Sequence, residues 1–302
     1  MISSIPHPFP YQGSKRNIAR YILPHIPEDT ETLIEPFCGS AAITIAAAAQ
    51  GRARHFLLND IDEWLMNLWS CILGLPVELS DDYERLWYAQ SDDRKAFFYQ
   101  VREEFNTTHR PQHLLYLLAR IVKGSVRYSA DGHFNQSPDN RRSGMHPVRM
   151  RREVLAVSSL LSGRTTISCD DFRDIIPRAT GRDVVYMDPP YQGTSFTRDH
   201  RYVRGLAFND FVAVLVEMNR RRLSYIVSYD GRTGRKIHGK SLPNHLGLTQ
   251  LSVPAGRSAQ GTLLGANLQT VESLYLSPEL VRRLSPSQIA PFQTTLGLGS
   301  SG

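Results

Sequence analysis

Cysteine is scarce in this chain. Three in 302 residues, Cys38, Cys71 and Cys169, lie far apart and are odd in number, which argues against a disulfide framework and against a zinc site built on paired thiolates. They read as reduced thiols, with Cys38 and Cys169 expected to be small buried packers. No uninterrupted apolar run is long enough to span a bilayer. The opening Met1-Ile2-Ser3-Ser4-Ile5-Pro6 lacks a basic flank followed by an apolar stretch, so no secretory signal is expected, and the cytoplasm is the expected compartment. No internal repeat is present. Acid is nearly missing from one stretch. Between Arg110 and Arg152 nine Arg/Lys face only Asp131 and Asp139, a net of +7 within a chain of formal charge +6. The basic excess therefore belongs to one central segment, which suits either a grip on a polyanion or a solvated basic face.

What is present organises around Asp188-Pro189-Pro190-Tyr191. Asp183–Met187 reads as a short buried strand, and two prolines forbid its continuation. A carboxylate and an aromatic ring are thereby placed at the carboxyl end of a strand, where open α/β sheets bind ligands. A Pro-Pro turn with an incidental acid and tyrosine is the plain alternative. Upstream, Ser14 is expected to cap a helix over Lys15–Leu23, after a proline-rich entry. Gln12-Gly13-Ser14-Lys15 is either an anion site or an ordinary loop-to-helix junction. Thr32–Ile34 is a strand, Glu35–Ser40 its turn, and Ala41–Gln50 a helix of small residues ended by Gly51. With one glycine, Gly39, that turn does not match a dinucleotide fingerprint. Phe56–Leu58 is the second strand, ending in Asn59-Asp60. Asp60 can bond ribose hydroxyls or cap the following helix.

Residues 63–123 carry helical periodicity, with Trp64, Leu65, Leu68, Trp69 and Ile72 as one stripe. From Gly124 short Gly/Asn-rich pieces follow, and Tyr128 and Phe134 flanking Ala130-Asp131-Gly132 suggest a hairpin. Arg127, Tyr128, His133, Asn135, Arg141 and Arg142 surround it, a mix of basic and aromatic side chains suited to phosphate and base-edge contacts. A helix over Arg151–Leu161 and a strand Thr165–Ser168 with Asp170-Asp171-Phe172 at its end come next. A helix capped by Asn209 or Asp210 runs to Arg221, and Leu223–Ser228 is a strand. Two antiparallel strands, Leu248–Val253 and Thr270–Leu276, are joined by residues 254–267. Residues 285–302 look like a tail without a core pattern.

Four stretches in this order, Tyr11-Gln12-Gly13-Ser14-Lys15, Glu35-Pro36-Phe37-Cys38-Gly39, Asn59-Asp60 and Asp188-Pro189-Pro190-Tyr191, resemble the Dam-like (D12 class) DNA adenine N6-methyltransferases. The likeness covers roughly residues 8–278. Gly124–Asn135 is similar to the family's target-reading hairpin, with Gly132-His133-Phe134-Asn135 where Gly-Glu-Phe-Asn is frequent. The resemblance implies an α/β fold, a seven-stranded Rossmann-like methyltransferase sheet with a reversed last strand. It also implies an inserted, mostly helical target-recognition domain with a β-hairpin. The catalytic domain would comprise 1–62 and 151–284, the insert 63–150, and the tail 285–302.

By the same resemblance the methyl donor is S-adenosylmethionine. Tyr11, Gly13 and Lys15 match donor-site residues, Glu35, Phe37 and Gly39 would wrap its methionine end, Asp60 would hold its ribose, and Asp171 and Phe172 would flank its adenine. Asp188 and Pro189 would accept the hydrogens of adenine N6, with Pro190 fixing the turn and Tyr191 stacking on the flipped base. Lys123, Arg127, Tyr128, His133, Asn135, Arg141, Arg142 and Arg257 are the candidate DNA contacts, and no metal is implied. Partners are duplex DNA and, in a restriction–modification setting, a cognate restriction endonuclease; the protein would be a monomer or weak dimer, without a membrane partner. Ser125 replaces an apolar family residue, Lys123 stands where asparagine is frequent, and the loop 135–147 is longer than the family's. GATC recognition is therefore not implied. An RNA methylase and an inert DNA-binding relative are the competing readings.

Overall fold

Short β-branched and aliphatic runs form the centre of the protein, a twisted sheet seen in a computed structural model that describes residues 5–90, 92–124, 126–189, 207–233, 236–238, 240–257 and 269–289. Seven strands lie in a row: β1 (Thr32–Glu35), β2 (His55–Asn59), β3 (Thr165–Ser168), β4 (Val184–Met187), β5 (Ser224–Thr233), β7 (Thr249–Arg257) and β8 (Gln269–Leu276). Their order is β3-β2-β1-β4-β5-β8-β7, and an eighth, β6 (Lys236–His238), pairs with β5 off that row. The five from β3 to β5 are parallel; β8 runs antiparallel to both β5 and β7. The expected reversed last strand is thus present, inserted between its two predecessors. Both strands of that pair are longer than their apolar cores suggested, and β5 continues past Ser228 through a bulge. Polar tips paired by backbone hydrogen bonds carry no alternation signal, which is why β6 was not anticipated.

Alternate residues of each strand face opposite layers. Leu33, Phe56, Val184, Tyr186, Ile226, Leu274 and Leu276 join one apolar core with helix α2 (Ala42–Ala49), the amino-terminal segment and five helices of the middle of the chain. Ile34, Leu57, Val185, Met187, Val227 and Tyr275 join the other, with α8 (Phe172–Ile175) and α9 (Phe208–Arg220). The alanines of α2 let that helix lie close on the sheet, and all of Ala42–Ala48 is buried. The middle of the chain is helical as expected: α3 (Glu63–Gly74), α4 (Pro76–Ala89), α5 (Arg94–Thr108), α6 (Pro111–Arg120) and α7 (Pro147–Leu161). Its apolar stripes share the first core without a break.

Several local expectations are corrected. Lys15–Leu23 is not one capped helix: Lys15–Asn17 is a 3-10 turn, α1 spans Ala19–Ile22, and Leu23–His25 is again 3-10. Ser14 makes no cap bond; its hydroxyl accepts from Ser40 Oγ at 3.0 Å. Neither Asn209 nor Asp210 caps α9, which starts at Phe208 after Ala207. Cys169 is exposed rather than a buried packer, while Cys38 is buried, and the three thiols are free. The start of the expected tail is ordered: Pro286–Ile289 is helical and Gln288 Nε2 donates to Pro24 O at 2.9 Å. Residues 290–302 lie outside the described residues. Among those described, no helix is long and apolar enough to cross a membrane.

Candidate active site

The chain leaves β1 toward β2 on one side, while β4 pairs with β1 on the other. Strand order reverses there, and the carboxyl ends of β1 and β4 flank a crevice of the kind that binds ligands in open α/β sheets. Asp188 is the first residue after β4. Its carboxylate is 2.8 Å from Lys15 Nζ, and that ammonium is 7 % exposed. A buried cation is tolerable only when paired, and Lys15 has two further acceptors nearby: Gly13 O at 3.2 Å and Glu272 at 3.7 Å. Gly13, at φ +84°, makes the turn that brings the lysine in. Burial raises the Asp188 pKa to about 6; Lys15 opposes the rise and Glu272 adds to it. Pro189 is buried beside it. Pro190 and Tyr191 lie outside the described residues.

Glu35, at the end of β1, is buried and accepts from the Thr44 amide of α2 at 3.2 Å. Its Oε2 is buried with no hydrogen-bond partner. Burial, with Asp188 nearby, pushes its pKa up to about 8, which favours the protonated carboxyl over the carboxylate. Gly39 follows, at φ +47°, where a Cβ would meet the Tyr11 ring at 3.0 Å. Only glycine gives both that backbone conformation and that room.

Asp60 is buried and holds two amides, Gly39 N and Asp62 N, each at 3.1 Å. It does not cap the next helix. Asp62 does, accepting from Leu65 N at 3.2 Å. Asn59 was undervalued in the sequence: its amide bridges Pro36 O and Asp170 O, and its Oδ1 accepts from Asp170 N, tying together the exits of three strands. Phe37 packs on Phe172 with ring centroids 5.1 Å apart, and Asp171 caps α8 while pairing with Arg173 at 2.7 Å. Of the residues expected to bind the donor, Glu35, Phe37, Gly39, Asp60, Asp171 and Phe172 lie at the ends of β1, β2 and β3 or on the turns that follow, while Tyr11, Gly13 and Lys15 lie on the strap that precedes β1. The crevice offers acids on adjacent strand exits, an orphaned buried acceptor on Glu35, and glycine backbone. That donor set suits a cationic adenosyl ligand carrying ribose hydroxyls.

The target side differs. Gly124 has φ +61°, and a Cβ there would lie 2.5 Å from Pro10 O; Gln12 N donates to Gly124 O at 3.0 Å. The root of the expected hairpin is thereby stitched to the strap that carries Tyr11 and Lys15. Beyond it, Tyr128 and Phe134 form a single antiparallel bridge, closed by Ser129 N to His133 O at 2.8 Å and Asn135 N to Arg127 O at 3.1 Å. Arg127, His133, Asn135, Arg141 and Arg142 are exposed. Tyr128 is not. It is 3 % exposed, packs edge-on to Phe134, and its hydroxyl lies 3.4 Å from Asp62 Oδ2, so a DNA contact from that ring is overturned by burial. Arg120, counted in the basic excess, is also buried, bonded to Gln90 and Tyr116. The loop 135–147 is anchored from below by Gln90 to Ser143 O at 3.0 Å and Tyr83 to Met145 O at 2.6 Å. Its Arg141 and Arg142 share one carboxylate, Asp139. Ser125 and the side chains of Lys123 and Arg257 lie outside what is described.

Comparison with known proteins agrees with this arrangement. Residues 11–244 match the family described as D12 class N6 adenine-specific DNA methyltransferase. The chain is 29 % identical over 205 residues to the retron Ec67 DNA adenine methylase of Escherichia coli, covering 64 % of this chain and 68 % of that one. It is 25 % identical over 239 residues to a DNA adenine methylase of Vibrio cholerae, covering 76 % and 83 %. With the type II methyltransferase M.MjaIII of Methanocaldococcus jannaschii it shares 26 % over 216 residues, 66 % and 74 % of the two chains.

Proposed function

The chain belongs to the D12 class of N6 adenine-specific DNA methyltransferases, and from that premise we propose that it methylates N6 of one adenine, flipped out of duplex DNA at a defined sequence, using S-adenosylmethionine. The observation that carries the proposal is the Asp188 carboxylate. It stands at the crevice of the sheet, fixed by a buried lysine and followed by a buried proline.

The N6 lone pair of adenine is delocalised into the ring, and the nitrogen is hidden inside a duplex, so the base must leave the stack. Asp188 and the carbonyl of Pro189 each accept one N6 hydrogen. The nitrogen then turns partly pyramidal and regains its lone pair. Tyr191 stacks on the extruded ring, and Pro190 sets the turn. Asp60 holds the ribose hydroxyls through its carboxylate, which accepts more than one hydrogen bond per oxygen. Tyr11, Gly13, Lys15, Glu35, Phe37 and Gly39 enclose the methionine end, and Asp171 and Phe172 border the adenine. Bound there, S-adenosylmethionine supplies an electrophilic methyl on a sulfonium. The protein's part is positioning and electrostatics, without a covalent enzyme intermediate.

Residues 63–150 act as the target-recognition insert, whose exposed Arg127, His133, Asn135, Arg141 and Arg142 meet the duplex together with Lys123 and Arg257. The protein works in the cytoplasm as a monomer or weak dimer. Its likeness to a type II methyltransferase supports a cognate restriction endonuclease as partner. Transfer of labelled methyl to duplex DNA, with RNA of the same sequence alongside, tests the function. Label at adenine N6 in the duplex is expected. Tight DNA binding with no label in any duplex would leave an inert binding protein, and label in RNA alone would reassign the substrate.

A further inference from the structure

Glu272 belongs to none of the motifs that mark the site, yet the topology delivers it there. Parallel strands present their ends to the crevice; β8, being reversed, presents its beginning. Its inward positions are apolar at Leu274 and Leu276, and the same face carries a glutamate at 272, opposite Gly231 of β5 and Val253 of β7. Glu272 Oε2 accepts from the buried Ser228 Oγ at 3.3 Å and is 3.7 Å from Lys15 Nζ. The ammonium has three donor directions. One goes to Asp188 at 2.8 Å and one to Gly13 O at 3.2 Å, and Glu272 adds a second carboxylate within ion-pair distance of the same ammonium.

We propose that Glu272 is a positioning residue for Asp188: it shares the Lys15 ammonium with the Asp188 carboxylate and, as a second negative charge, limits how strongly Lys15 ties that carboxylate up. Without Glu272 the lysine has one carboxylate fewer to share its charge with Asp188, and an acceptor held harder by an ammonium is a poorer acceptor for N6. The groups facing Asp188 are Lys15 from the amino-terminal strap, Glu35 from β1, Tyr186 from β4 and Glu272 from β8; β5 contributes the uncharged Ser228. Glu272 is thus the group that balances the lysine from the reversed strand.

The inference rests on Asp188 being the N6 acceptor, so the experiment reads the carboxylate both with and without turnover. The Asp188 side-chain carboxyl is titrated by carbon NMR in the intact protein, and kcat and KM for methyl transfer are measured across pH, for wild type, Glu272→Gln, Glu272→Asp and Lys15→Gln. Glu272→Gln should lower the Asp188 midpoint and move the acid limb of kcat to lower pH by about one unit. It should also reduce the plateau of kcat while KM for DNA holds. Lys15→Gln should move the limb the other way, and Glu272→Asp should restore most of the wild-type profile. An Asp188 midpoint unmoved by Glu272→Gln, or moved upward, overturns the inference even if the enzyme is active. A midpoint that moves as expected in a protein without methyl transfer upholds the inference and sinks the function instead.

Discussion

The crevice and the target-facing segment handle charge in opposite ways. In the crevice Lys15, Asp188, Glu35 and Asp60 are buried or nearly so, and each is committed to a partner on another strand or turn. In residues 127–142 the arginines stand in water, and their partners are near in sequence: Arg141 and Arg142 on Asp139, His133 on Asp131. The His133–Asp131 pair is exposed on both sides and contributes little to stability, while the Asp139 carboxylate under the two exposed arginines is 5 % exposed. The crevice groups are locked in place by neighbours on other strands, while the segment 124–147 is anchored at its root and from below and leaves its arginines on the surface.

That contrast breaks or holds at four positions. The largest effect is expected at Asp188. Asp188→Ala should reduce kcat by at least ~10²–10³-fold with DNA affinity intact, since no reading residue is touched; a variant that keeps its turnover would remove Asp188 from the chemistry. Wild-type activity should itself rise with pH through about 6, because the group must be ionised to accept N6 hydrogens.

Glu35 comes next. Its folded pKa of about 8 lies above the ordinary 4.5, so the folded state keeps a proton that the unfolded chain releases. Stability conferred below pH 4.5 is then lost as pH climbs toward 8, at about 1.4 kcal/mol per pH unit. Glu35→Gln should flatten that slope in denaturant melts taken from pH 5 to 8; a parallel pair of curves would mean that Glu35 is ionised in the fold.

On the reading side, Arg127→Ala should weaken duplex binding and reduce the slope of log K against log salt by ~0.9, leaving kcat at saturating DNA nearly unchanged. An unaltered slope would move the phosphate contact elsewhere. The smallest effect is expected at Tyr128→Phe. Loss of a buried hydroxyl contact should cost about 0.5–1.5 kcal/mol of stability and nothing in DNA affinity, and a weakened complex would return that residue to the interface.

Much of the crevice was legible because its residues are forced by backbone geometry. Pro189 follows within two residues of the end of β4, Gly39 needs a left-handed turn, and acids recur at strand exits. Glu272 escaped because its signal is a single polar residue on the inward side of an apolar strand, which gains meaning only once β8 is known to be reversed. Tyr128 was misread because an aromatic beside arginines looks the same in sequence whether it faces base or core. Burial under Phe134 decides it. Arg120 was counted as surface charge for the same reason; that Gln90, some thirty residues upstream, would receive it is a tertiary fact. The segment 63–150, an insert by the family resemblance, shares its apolar core with the sheet; stripes on α3, α6 and α7 do not announce which neighbour they bury against.

The contact between Gly124 and Pro10 limits how such a protein can be altered. A reading surface that hangs from a polar loop could be exchanged between relatives as a cassette. Here the graft has to include Pro10 and Gln12, since the incoming root must fit against a carbonyl with no space for a methyl group. Point changes at the exposed Arg127, His133 and Asn135 leave that contact untouched, whereas wholesale transplantation of the segment does not.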